Sequence, residues 1–219
     1  MSINKSKPTE EYDDPGESEL YSRMKTIPSE EHRAYLAFTY LIGNRVSEGV
    51  PGKSKYHDSK TKGKTEHIRE YSGIRKKDIT FDERGWMEVS HIPTLKRKVR
   101  DSTKFYREGI VFTLGKGEEP FINIVRDYMN TKQDEEILWT CGRKTYWQIS
   151  HDYLKIPPKK LRGLRATKDA KTYNLGALEL KEKYNWGSTD MPFHYAKFNK
   201  QGMKDKMEKA GKTTSNPSA

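Results

Sequence analysis

The sequence predicts an α+β fold that is mostly helical, with a small three-stranded antiparallel sheet. Three observations carry this. Apolar residues recur at helical spacing in several stretches on both sides of the chain's middle; a block at 78–114 reads as short strands cut by turn residues; and no period signals a repeat architecture. At 219 residues the chain can bury the core of one domain, but 33% of its residues are charged and only 32% are hydrophobic. Sizeable segments are therefore expected to be solvated.

In chain order, residues 1–28 are expected to form a flexible lead-in, polar and proline-containing, with a short helix at Glu17–Lys25. Ser29, followed by Glu30 and Glu31, has the composition of a helix start. The helix that follows carries Tyr35, Leu36, Phe38, Thr39, Leu41 and Ile42, too densely apolar for a surface helix. Gly43 and Asn44 mark its end, so Arg45 is expected to emerge where the backbone changes direction. Residues 50–72 contain five lysines by Lys64 and little to bury, which predicts a basic surface loop.

Strands are expected at 78–82, 86–92 and 105–114, the first two split by Glu83-Arg84-Gly85 and the last two by TLKRKVRDSTK, a basic hairpin tip. Phe121, Ile124, Val125 and Tyr128 share one face of an amphipathic helix. A short apolar segment at 137–139 precedes the helical spacing of RKTYWQISHDYLK, which Pro157 and Pro158 end. Further helices are expected at 159–173, 175–184 and 190–199, and beyond them a lysine-rich tail at 200–219.

The balance of 42 Lys and Arg against 31 Asp and Glu gives a formal charge of +11. Long-range attraction then favours anionic partners, and DNA, RNA and anionic membrane surfaces all fit charge alone. No apolar run approaches the ~20 residues needed to span a bilayer, and the N-terminus MSINKSKPTEEYDD lacks a signal-peptide core. The expectation is a soluble intracellular protein with no membrane partner. Cys141 is the single cysteine, which excludes an intramolecular disulfide and a cysteine-based metal cluster. The six histidines show no metal-ligand spacing.

Four segments then resemble, in order, those of a known family. IGNRVSEG, containing Arg45 and Glu48, resembles the TGLRISE segment of tyrosine recombinases, the phage-integrase family of DNA strand exchangers. GIRKKDITFD looks like the L-x-W-x-D-I-D-F segment that follows it, PKKLRGLRAT is similar to P-H-x-L-R-H-x-x-A-T, and NWGSTDMPFHY to a glycine, His or Trp segment that ends in tyrosine. The intervals also fit, with 24 residues from Arg162 to Trp186 and nine from Trp186 to Tyr195. The resemblance implies the fold of DNA-breaking-rejoining enzymes over a catalytic domain at 29–199.

The chemistry it implies is cleavage and rejoining of DNA strands through a covalent 3′-phosphotyrosine, as in integration and excision. Tyr195 would be the nucleophile, conserving the energy of the broken bond so that no cofactor, metal or nucleotide, is required. Arg45 and Arg162 would donate bidentately to the non-bridging oxygens, on which the transition state places extra charge. Trp186 stands where relatives have His or Trp, and its indole N–H can donate to a phosphate oxygen. Lys159 stands where most relatives have His, although some, including archaeal viral integrases, have Lys. Its implied role is to stabilise phosphate or tyrosinate, which leaves the general base open. The leaving 5′ oxygen needs a proton, which a hairpin lysine supplies in the family. Lys96 is the first choice, with Lys98 and Lys104 as alternatives. Glu48 would orient an arginine by an ion pair, and Arg107 looks like the arginine before the family's V-P-(L/I) strand.

The implied partners are double-stranded DNA and further copies of the chain as a tetramer on DNA, with the basic tail at 200–219 either docked on a neighbour or disordered. The expected location is the cytoplasm or nucleoid, in a host cell where a mobile element or virus encodes the protein. Two other readings remain: a type IB topoisomerase-like enzyme that nicks and reseals one strand, and a DNA-binding protein that keeps the fold without catalysis. Full-length relatives usually carry a separate DNA-clamping domain, and only 28 residues precede the first matching helix. DNA binding by this chain alone is therefore expected to be weak, poorly specific and steeply salt-dependent, losing affinity by about tenfold or more between 50 and 200 mM salt in a filter-binding titration.

Overall fold

The helix that the sequence marks as most apolar is the axis of the structure. The computed structural model describes residues 14–57, 66–94, 106–112, 117–186, 188, 190–195 and 208. Helix α2, Glu30–Ile42, starts at Ser29, whose hydroxyl accepts from the His32 N–H at 3.4 Å, and every residue from 34 to 42 is buried. Its aromatic face packs tightly: Tyr35 lies 5.0 Å from Trp139 and 4.1 Å from Tyr146, and Phe38 lies 4.4 Å from Trp139, between ring centroids. Helices α1 (Glu17–Lys25), α3 (Glu119–Asn130), α4 (Arg143–Ile149) and α5 (Pro158–Lys171) all pack on α2. The remaining helices are α6 (Ala177–Lys183) and α7 (Asp190–Tyr195). Among the described residues, no helix is long and apolar enough to cross a membrane.

The short helix expected at Glu17–Lys25 is present as α1, and it and its exit pack into the domain. Leu20, Met24 and Ile27 are fully buried in the main core. Arg23 Nη1 donates to the Leu154 carbonyl at 2.7 Å, and Glu17 accepts from the Tyr40 hydroxyl and, at 2.5 Å, from Lys168 Nζ. Leu20 and Met24, four apart, share one face of α1, and Ile27 follows just past its end.

The expected three-stranded sheet is present, in the order β3 (Ile79–Phe81), β4 (Trp86–Pro93), β5 (Tyr106–Phe112), all antiparallel. The register of β4 on β5 shifts between Val89 and Ile92, and His91 there has a left-handed φ of 57°. Such a bulge bends a strand and re-aims its end. The basic loop expected at 50–72 is corrected. Gly52–His57 and Glu66–Tyr71 are strands β1 and β2, an antiparallel pair with Gly52 opposite Tyr71. With no apolar alternation, the pair is held by its backbone ladder, by the exposed Lys53–Glu70 ion pair and by the Tyr71 hydroxyl, which donates to the Ser47 carbonyl at 3.3 Å.

Helix α4 does not run regularly through Leu154. It passes into a π-helical turn at Ser150–Leu154, closed by Lys155 in the left-handed region and by Ser150 Oγ donating to the Ile156 carbonyl at 2.8 Å. Pro157 and Pro158 then begin α5, where proline's missing N–H costs nothing.

Glu31, at the start of α2, ties the 137–142 segment to this core. One carboxylate oxygen accepts from the Thr140 N–H (2.8 Å), the Cys141 N–H (3.3 Å) and the Tyr146 hydroxyl (2.8 Å). Partial burial pushes its carboxyl up, but these donors outweigh burial and hold it below its ordinary 4.5. Stabilisation from this depressed group is present above its unfolded value and is lost as pH falls through the folded one. Glu31→Ala is expected to cost about 1–3 kcal/mol in urea unfolding at pH 7, with the deficit shrinking as pH falls below about 4.5.

Candidate active site

The site begins where α2 ends. Gly43 stops the helix in the left-handed region, φ 63°, and a Cβ there would lie 2.4 Å from Cε1 of Tyr184. Glycine is required twice, by conformation and by contact. The chain then turns at Arg45. The Glu48 N–H donates to the Arg45 carbonyl at 2.8 Å, and the Glu48 carboxylate accepts from the Arg45 N–H at 2.8 Å and from Arg45 Nη1 at 2.5 Å. The Tyr35 hydroxyl pins the same turn through the Val46 carbonyl at 2.6 Å. Glu48 is wholly buried, whereas the Arg45 side chain keeps 33% of its surface, so the guanidinium is oriented from behind and open in front.

Arg162 comes to the same place from the first half of α5. It is 8% exposed, its Nη1 donates to the Gly43 carbonyl at 2.9 Å, and its Nη2 donates to the Tyr184 carbonyl at 3.1 Å. Glu48 Oε2 lies 3.7 Å from Nη1. Burial is the main cause that pulls the Arg162 guanidinium down to about 10, and the charges of Arg45 and Arg107 add to it while Glu48 opposes it. It remains charged at neutral pH.

The end of α6, with Trp186 after it, and Tyr195 on α7 supply an aromatic column. Trp186 stacks on Tyr184 at 4.8 Å and 20° and on Tyr195 at 5.6 Å and 9°. The Arg162 guanidinium carbon lies 5.1 Å from the Tyr184 ring centroid and 5.6 Å from that of Trp186. At the far end, the Tyr195 hydroxyl lies 3.5 Å from where a Cβ on Gly163 would stand, beside the residue that follows Arg162. Arg45, Glu48, Arg162, Trp186 and Tyr195 are thus brought together.

Tyr184 is the residue that sequence reasoning missed. Its hydroxyl donates to Asp169 Oδ2 at 2.6 Å, and burial, reinforced by Asp169, pushes it far above the ordinary phenol range. Asp169 belongs to a buried network: Arg165 Nε at 2.9 Å, Lys183 Nζ at 2.8 Å, and, through Arg165, Glu118 at 3.1 Å. This network fixes α5 against α3 and α6. The one signal for it in the sequence is the i, i+4 spacing of Arg165 and Asp169.

Lys159 lies one turn before Arg162 on α5, exposed. Arg107, on β5, is buried, and its Nη1 donates to the carbonyls of Lys183 (3.1 Å) and Glu108 (3.3 Å). It lines a cavity of about 1160 Å³ between β5 and α6, bordered also by Tyr106, Ile110, Leu178 and Trp186. Lys96, Lys98 and Lys104 lie outside the described residues, as does the 200–219 tail apart from Glu208. Among the described residues, no group of three or more His, Cys, Asp or Glu side chains is placed to hold a metal ion.

No protein-family model and no curated protein matches the sequence. Solved structures do. XerA recombinase is similar over 99% of this chain and 68% of its own, with 13% identity and a TM-score of 0.53. The Tn1549 transposon integrase in complex with circular intermediate DNA is similar over 94% and 67%, with 12% identity and a TM-score of 0.51. XerH site-specific recombinase bound to difH substrate matches at 12% identity over 87% of this chain and 51% of its own, with a TM-score of 0.49, so the chain spans about half the length of that relative. The chain has a tyrosine recombinase/integrase-like fold.

The contact between Gly43 and Tyr184 gives a direct test of the site's geometry. Gly43→Ala is expected to cost about 2 kcal/mol or more, from left-handed strain of ~1–2 kcal/mol plus the displaced ring, read as a lower urea midpoint.

Proposed function

We propose that this chain is the catalytic domain of a site-specific recombinase or integrase that cleaves and rejoins DNA strands through a covalent 3′-phosphotyrosine at Tyr195. The observation that carries this reading is the stack of Tyr195 on Trp186, with its hydroxyl beside the turn of α5 that holds Arg162. Tyr184, on the other face of the same indole, is unsuited to attack, because its hydroxyl is buried and donated to Asp169.

In the proposed reaction the Tyr195 oxygen attacks the phosphorus and gives up its proton, and the bond to the 5′ oxygen breaks. That oxygen leaves as a hydroxyl with a proton from the hairpin lysine, Lys96, Lys98 or Lys104. Attack of a 5′-hydroxyl on the phosphotyrosine reverses the step and frees the tyrosine. Arg45 and Arg162 hold the non-bridging oxygens, with Glu48 orienting the arginines. Lys159 meets the phosphate or the tyrosinate from the preceding turn of α5, and the Trp186 indole N–H donates to a phosphate oxygen. The chemistry calls for no metal or nucleotide. The proposed partner is double-stranded DNA, bound by a tetramer of this chain, in the cytoplasm or nucleoid of the cell that holds the target.

A nicked suicide substrate tests the reading. The unsubstituted protein should become covalently attached to DNA, Tyr195→Phe should give no adduct while melting normally, and Arg45→Ala or Arg162→Ala should slow attachment by about 10²-fold or more. Failure of the unsubstituted protein to attach to its proper site would leave the binding-only reading. Attachment with relaxation of supercoiled plasmid and no strand exchange would favour the topoisomerase-like one.

A further inference from the structure

Two clusters of buried charge are built around α5, and they differ in balance. In the first, Arg165, Lys168 and Lys183 meet Glu17, Glu118 and Asp169 at 2.5–3.1 Å, three cations against three carboxylates. In the second, Glu48 is one carboxylate among three guanidiniums. Arg45 is bonded to it at 2.5 Å, Arg162 stands 3.7 Å away, and Arg107, buried, holds the Lys183 carbonyl at 3.1 Å next to the Tyr184 carbonyl that Arg162 holds, where Glu48 favours its charge and Arg45 opposes it.

Arg107 is the unexplained member. It is 8% exposed, and its Nε and Nη2 are sealed from solvent with no acceptor among the described residues. Sealed nitrogens cannot reach a bound ligand, so Arg107 can act on one only through its charge or through the Lys183 carbonyl that its Nη1 holds. Burying a guanidinium with unused donors is costly, and sequences retain such a group only where something offsets the cost.

The charge balance says what that is. Glu48 shapes the Arg45 turn, but a buried carboxylate beside two arginines also repels the oxyanion those arginines are to hold. We propose that Arg107 is a positioning residue whose buried charge offsets Glu48, leaving Arg45 and Arg162 their full attraction for a tetrahedral oxyanion. This rests on reading the Arg45–Arg162 pair as a phosphate site, and it assigns to that site a third cation that never touches the phosphate.

Sodium tungstate, titrated calorimetrically into the whole chain at fixed ionic strength, supplies the probe. Arg107→Gln removes the charge and keeps a donor, whereas Arg107→Lys keeps the charge and loses the planar fork. The expected result is a loss of about tenfold or more in tungstate affinity for R107Q, with R107K within about threefold of the unsubstituted protein. R107M replaces R107Q if the latter does not melt cooperatively. Equal affinity in R107Q and the unsubstituted protein overturns the proposal, and so does an R107K that falls as far as R107Q, which would assign Arg107 to holding the end of α6. No tungstate binding by the unsubstituted protein, or neutral variants that both fail to fold beside a folded R107K, overturns it as well. The titration needs no DNA, so a protein that forms no covalent adduct would fail the recombinase reading without deciding this one.

Discussion

One guanidinium joins the three parts of the chain that make the candidate site. Arg162 donates to the carbonyl of Gly43 at the end of α2 and to that of Tyr184 at the end of α6. Both acceptors lie at helix C-termini, where the last carbonyls lack intrahelical partners and carry partial negative charge. A buried cation is therefore held by two helix ends and not by a neutralising carboxylate at hydrogen-bonding distance. The Arg45 turn follows directly from the first of those ends and Trp186 from the second. Displacing Arg162 would loosen both, so the geometry of the site is a consequence of how one α5 side chain satisfies backbone groups that folding leaves over.

The same helix carries a second buried arginine with the opposite logic. Arg165, three residues on, is wholly buried and paired with two carboxylates, and although burial opposes it, Asp169 and Glu118 hold its guanidinium above the ordinary range. Arg162 lacks such partners and is pulled down. A charge that is neutralised within the fold serves packing, and one that is left partly uncompensated attracts an external anion. The two arginines differ by less than a turn of helix, so the division between structure and site runs along α5 and not between separate elements.

Much of this was legible in the sequence where local chemistry decides the outcome. The dense apolar run, the Ser29 start and the Gly43 stop place α2 and the Arg45 turn, and the spacing of turn residues places β3, β4 and β5. What stayed hidden depends on partners distant in sequence. β1 and β2 have neither apolar alternation nor a close turn, and their pairing is a backbone ladder that side chains do not announce. The π-helical turn after α4 is closed by contacts from Arg23 and Ser150. Tyr184 reads as one more apolar helix residue, and only the meeting of α2, α5 and α6 makes it the floor of the aromatic column.

That column bears on how Tyr195, the proposed nucleophile, is placed. On helix α7, Met191 and Phe193 are largely exposed, at 43% and 61%. Its attachment is therefore concentrated on the face it presents to α5 and α6, with the Tyr195–Trp186 stack at its end. A flat indole suits this role, because one face rests on the immobile Tyr184 ring while the other takes up Tyr195. Tyr184 is fixed by its bond to Asp169. The indole thus stands between a ring bonded into the core and the ring of Tyr195, and in the proposed reaction that stack aims the attacking oxygen at a phosphorus held by Arg45 and Arg162.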